Sequence, residues 1–199
     1  MSNGITSALF VALLALAACD VEAPSPEARP ARTLVGAEPP SMRQKVDPAR
    51  NRTWLLTEAG LFVHDAANPQ KTEIVLPGWL WVRPQFACLP DVALGPRGEA
   101  LVTSNVEATL WKIDPDSLAV SVHRLALDSD LDRDVGFIAL AYSPEHGEFF
   151  AASASHGSLW RIDPLLRRAQ RIPFAGAVGN ICELGLRPEL LSKLAAGGG

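Results

Sequence analysis

Clusters of positive charge are missing from this chain. Its 18 lysines and arginines are outnumbered by 22 aspartates and glutamates, for a net charge of −4. A protein that binds nucleic acid by neutralising phosphates needs a basic patch or stripe, so no nucleic-acid partner is expected. An apolar run of about 20 residues, enough to cross a bilayer as a helix, is also missing. The three cysteines form neither Cys-x-x-Cys nor Cys-x-x-Cys-His. Thioredoxin-like redox chemistry and c-type haem attachment therefore lack their motifs. No Gly-x-Ser-x-Gly elbow and no Walker or dinucleotide glycine pattern occurs, and no catalytic residue is assigned. What is present is foldable: 48% of residues are hydrophobic and 20% charged, enough apolar surface to build a core. The 16 prolines and 15 glycines favour many turns. A length of 199 residues suits one domain with tails.

The chain opens with an address. Residues 8–18, Ala-Leu-Phe-Val-Ala-Leu-Leu-Ala-Leu-Ala-Ala, are unbroken apolar sequence, too short for a span and the length of a signal-peptide core. The run ends in Leu16-Ala17-Ala18-Cys19. This resembles the lipobox of bacterial lipoproteins, in which a diacylglycerol is attached to the cysteine thiol and the chain is cut before it. The resemblance implies a signal peptide at 1–18, lipidation with palmitate-type chains at Cys19, and a membrane as partner. Several acyl chains, at about 0.8 kcal/mol per buried methylene, hold a protein on a bilayer. Residues 2–7 carry no Lys or Arg, and an ordinary secretory signal is the alternative. The expected location is the bacterial envelope, facing the periplasm; Asp20 resembles an inner-membrane retention signal, and the choice of membrane stays open.

Residues 19–42 read as a tether, with Pro24, Pro26, Pro30, Pro39 and Pro40 keeping it extended and unpacked. Beyond Cys19, two cysteines are left, Cys88 and Cys182. In an oxidising compartment they suit a disulfide, with two separate buried thiols as the other reading.

A repeat organises residues 43–199. Gly60-Leu61-Phe62-Val63-His64-Asp65, Thr109-Leu110-Trp111-Lys112-Ile113-Asp114 and Ser158-Leu159-Trp160-Arg161-Ile162-Asp163 align without gaps at a spacing of 49. Before each lies a strand, a turn carrying Pro48, Pro96 or Pro144, and a second strand. Each unit therefore predicts four short strands, which in the second unit fall at 90–95, 99–104, 109–113 and 118–125. Units of four strands at this period are blades of a β-propeller. The pattern resembles the NHL, YVTN and quinoprotein-dehydrogenase-like propellers over residues 45–174. The fold expected is all-β: three visible blades and a partial fourth beginning near Asn180–Pro188, followed by a short helix over 189–195. The ring is expected to be incomplete, or closed by oligomerisation or by a partner. A further strand at Thr33–Val35 is the third way to fill it.

Propellers host enzymes, binders and scaffolds alike, so function rests on the loops. The Asp-Pro turns and the turns between first and second strands are expected on one face. The other face carries the remaining loops, where ligands of the resembled families commonly sit. There, Trp79, Trp81 and Arg83 lie within five residues, and Trp and Arg are enriched at binding hot spots. Asn105, Glu107, Ser155 and His156 stand in the shorter loops. Asp128, Asp130, Asp132 and Asp134 alternate as hard oxygen ligands suited to Ca²⁺, although Arg133 and Ala139 break the EF-hand pattern. For each, the plainer reading is packing or a solvated loop. The leading expectation is a binding or scaffold module, engaging another envelope protein, itself or a ligand. The alternative is a metal-dependent enzyme of the gluconolactonase-like or quinoprotein-like kind.

Overall fold

The computed structural model describes residues 32–34, 41–82, 88–128, 136–153 and 157–173. All regular structure among them is strand. The first blade comprises β2 (Ser41–Asp47), β3 (Arg52–Thr57), β4 (Gly60–Asp65) and β5 (Asn68–Ile74), each antiparallel to the one before. On the outer edge of β5 lies β1 (Arg32–Leu34), also antiparallel. The second blade comprises β6 (Val92–Leu94), β7 (Ala100–Thr103), β8 (Thr109–Ile113) and β9 (Val120–Arg124). After the short β10 (Ala126–Leu127), the third comprises β11 (Phe137–Ser143), β12 (Glu148–Ser153), β13 (Leu159–Ile162) and β14 (Arg168–Ile172). β10 pairs in parallel with β14, outside the four-stranded unit.

The three repeated segments are the third strands β4, β8 and β13, as the 49-residue spacing predicts. The alternation of a strand then decides packing. Leu61 and Trp111 meet in the core between the first two blades. One period later, Leu110 and Trp160 meet between the second and third. The second repeat thus sends its Leu forward and its Trp backward. Trp54, Trp111 and Trp160 are fully buried, and an indole removes roughly 150–250 Å² from water on burial. The first strands β2, β6 and β11 form the innermost layer, with β6 between the other two.

The repeated aspartates close turns. Asp114 Oδ1 accepts the backbone N–H of Asp116 and Ser117, and Asp163 Oδ1 accepts that of Leu165. Asp65 and Asp47 do the same for Ala67 and Ala49. These are Asx-type turns, in which a short carboxylate replaces a backbone acceptor. The backbone and side-chain donors hold the Asp114 carboxyl below the usual carboxylate range.

Two features depart from the sequence reading. Strand pairing begins at Arg32, inside the stretch whose prolines suggest a tether, and Ser41 and Met42 already belong to β2. The strand near Thr33 extends the first blade to five strands. The strand expected at 180–188 and the helix at 189–195 lie outside the described residues.

Candidate functional site

The turns between first and second strands and those between third and fourth strands share one face. Arg50 shows it: from the first turn of blade one its Nη1 donates to the Arg97 carbonyl, and its Nε lies 3.0 Å from Asp116 Oδ1. Arg52 donates to the Pro115 carbonyl of the same turn. Gly98 makes this approach feasible, since its φ is +85° and a Cβ there would lie 2.8 Å from Asp47 Oδ2. This is the turn face. The other, the loop face, carries the loops between second and third strands and the crossings between blades.

On the loop face, residues 79–82 are held by the loop after β7. Trp79 Nε1 donates to the Thr103 carbonyl at 2.9 Å, and Ser104 Oγ donates to the Leu80 carbonyl at 2.7 Å. Asn105 uses its whole amide. Its Oδ1 accepts the Val82 N–H at 2.9 Å, and its Nδ2 donates to the Val82 and Cys88 carbonyls, each at 2.8 Å. One side chain thereby ties Val82 to Cys88. Gly136 is pressed against the Asn105–Val106 backbone, and Phe137 N–H donates to the Ser104 carbonyl at 2.6 Å.

The clamp has an apolar surface above it. Trp79 and Trp81 stack with ring centroids 6.1 Å apart and planes at 29°. Trp79 also packs on the core between the first two blades. Beside the pair, Leu80 is 60% exposed, and Val82 and Val106 are each 36% exposed. Scattered single apolar residues are ordinary on a surface, and larger exposed apolar patches are the ones that mark contact sites.

Asp91 is a centre that the sequence reading passed over. It is buried where the inner strands of all three blades converge. Its Oδ1 accepts Val92 N–H at 2.8 Å, its Oδ2 accepts Leu140 N–H from β11 at 2.9 Å, and Arg43 of β2 lies 3.7 Å away. Thr103 Oγ1 accepts the Asp91 N–H at 2.8 Å. Burial pushes the carboxyl above the usual carboxylate range, against the opposing pull of Lys45, the two N–H donors and Arg43. The positions 49 residues before and after Asp91 are Met42 and Leu140, so no repeated carboxylate flagged it.

Of the candidates read from sequence, Trp79, Trp81 and Asn105 come together on the loop face. Arg83 and His156 lie outside the described residues, as do Cys19 and Cys182. Of the four alternating carboxylates, Asp128 is described, while Asp130, Asp132 and Asp134 are outside. Asp128 Oδ1 accepts the Arg171 N–H at 2.8 Å, so it ties the β10 crossing to β14. Among the described residues, no three His, Cys, Asp or Glu side chains are grouped to hold a metal ion. Cys88 is disulfide-bonded.

No protein family and no curated protein matches the chain. Solved structures do. Dihydro-heme d1 dehydrogenase NirN, in complex with DHE, superposes with a TM-score of 0.51 at 16% identity over 71% of this chain and 30% of that one. Virginiamycin B lyase from Staphylococcus aureus gives a TM-score of 0.48 at 11% identity over 78% and 44%. The matched region spans less than half of either structure. At such identities the likeness to NirN speaks to fold alone, and with the radial four-stranded units it makes this chain a β-propeller-type protein.

Proposed function

We propose that this protein is a lipid-anchored envelope module that works by binding through the loop face of its propeller. The observation that carries the reading is the exposed strip of Leu80, Val82 and Val106 beside the stacked Trp79 and Trp81. A surface with this composition costs free energy in water and loses that cost when covered. It is also pre-organised: Thr103, Ser104 and Asn105 fix the loop by hydrogen bonds. Little conformational entropy is then lost on contact. Attachment to the membrane follows from the Leu16-Ala17-Ala18-Cys19 motif, and the proline-rich segment after it acts as the tether.

The test has two arms. Labelled palmitate is expected on the native chain and lost in Cys19→Ala, which should also leave the membrane fraction. A photoreactive residue at position 80 is expected to form a covalent adduct in intact cells. The same residue at position 165, on the turn face, should form none. A chain that takes no palmitate overturns the anchor, and equal crosslinking at the two positions overturns the loop face as the binding surface.

A further inference from the structure

We infer that the partner of the loop face is the phospholipid surface itself, so that the blades stand on the bilayer with their turn face outward. The inference rests on the lipid anchor proposed at Cys19. Its own observation is where the chain enters the fold. In the β1–β5 pairing, Arg32 sits opposite Glu73 and Leu34 opposite Lys71. β5 runs from the turn at Asp65 toward the loop face and ends at Ile74, so β1 runs the other way. The chain coming from Cys19 therefore reaches the first blade at the loop face, on the side where residues 79–82 lie.

Length permits this arrangement. Residues 20–31 lie between the cysteine and β1, and an extended, proline-rich chain covers about 3.1 Å per residue, or roughly 40 Å in all. That is enough slack for the loop face to touch the membrane without strain. To present the turn face, the same tether would use about 23 Å of that reach on the height of a seven-residue strand, so length allows either face and the direction of β1 favours the loop face. The tether also holds the strip near the surface at high effective concentration, so a weak contact suffices.

Composition agrees. The strip joins aliphatic side chains to an indole pair, and Trp favours the headgroup level, where its ring is part apolar and part wet. The turn face is charged: Arg50, Asp116, Arg97 and Asp163 are set there. Its exposed apolar residues belong to different blades, Val46 near the end of β2 and Leu165 in the turn after Asp163.

The experiment uses the purified acylated chain in vesicles of phosphatidylethanolamine and phosphatidylglycerol. Leu80→Cys and Leu165→Cys variants carry an environment-sensitive fluorophore, and the vesicles contain lipids with spin-labelled acyl chains. Loss of fluorescence is expected at position 80 and not at position 165. If the mass of the chain shows the acyl groups and position 80 is not quenched, or both positions are quenched alike, the inference is wrong and the anchor stands. A protein adduct at position 80 in cells, with no quenching in vesicles, would reassign the strip to a protein partner. A chain without acyl groups overturns the anchor and this inference together.

Discussion

Gly136 has no room for a methyl group. A Cβ there would penetrate the backbone of Asn105 and Val106, and backbone cannot move aside as a side-chain end can. Gly136→Ala should therefore cost ~3 kcal/mol or more, at the upper end of overpacking effects, read as a lower midpoint in chemical denaturation. Asp91 makes a different prediction. Its folded value is raised, so the native state holds this proton more tightly than the unfolded chain does. The resulting stability is fully present below the ordinary carboxylate range and is lost as pH rises through the raised value. Asp65 and Asp114 act in the opposite sense, because hydrogen bonds lower theirs. Comparing wild type with Asp91→Asn isolates the buried group: the difference in stability should move in favour of wild type as pH falls. A flat difference in urea titrations across that range would refute it. Neither residue was readable from sequence. Gly136 looks like any loop glycine, and the partners of Asp91 lie on β2 and β11, far away in the chain. Asn105 was legible as notable, but its amide serves Val82 and Cys88, 23 and 17 residues away.

Strands and turns were far more legible, because a blade writes its period into the sequence. The spacing of 49 located the third strands; that Leu110 and Trp160 share one core came from the structure. The short β10 escaped, since two residues carry no alternation to detect, and the strand near Thr33 was read without its place at the edge of the first blade. The repeat also hides a difference between equivalent tryptophans. Trp111 Nε1 donates to the Pro77 carbonyl at 2.8 Å. Trp160 Nε1 is buried and has no hydrogen-bond partner among the described residues. Replacing each by Phe removes similar apolar contact, but only Trp111→Phe also breaks a hydrogen bond and strands a carbonyl. Trp111→Phe should be the more destabilising of the two by about 1 kcal/mol. Thermal or urea unfolding of both variants measures the difference, and equal costs would mean that packing alone sets the value of these indoles.

At the scale of the whole molecule, blades are joined by apolar cores and by a few polar latches. Arg50 and Arg52 reach from blade one to the turns of blade two on the turn face, and Asp91 joins all three at the centre. Cys88 adds a covalent tie. It packs against the far side of the third blade, with Ile138, Phe150 and Leu159, although it precedes β6 of the second. That packing sets the crossing between blades one and two against a sheet that comes fifty residues later. Sequence suggested an oxidising compartment and, with Cys19 set apart, an even cysteine count, but distance in space cannot be read from spacing. We expect Cys182 to be the partner, because Cys19 is proposed to carry the lipid. A bridge closing a loop of that length constrains the unfolded chain by roughly 4–5 kcal/mol in the chain-entropy account. Peptide mapping without reductant should recover Cys88 linked to Cys182. The Cys88→Ser and Cys182→Ser variants should lose similar stability, and the double variant should lose no more than either alone. Additive losses would show that the two thiols act separately, and a Cys88–Cys19 peptide would remove the lipid from Cys19.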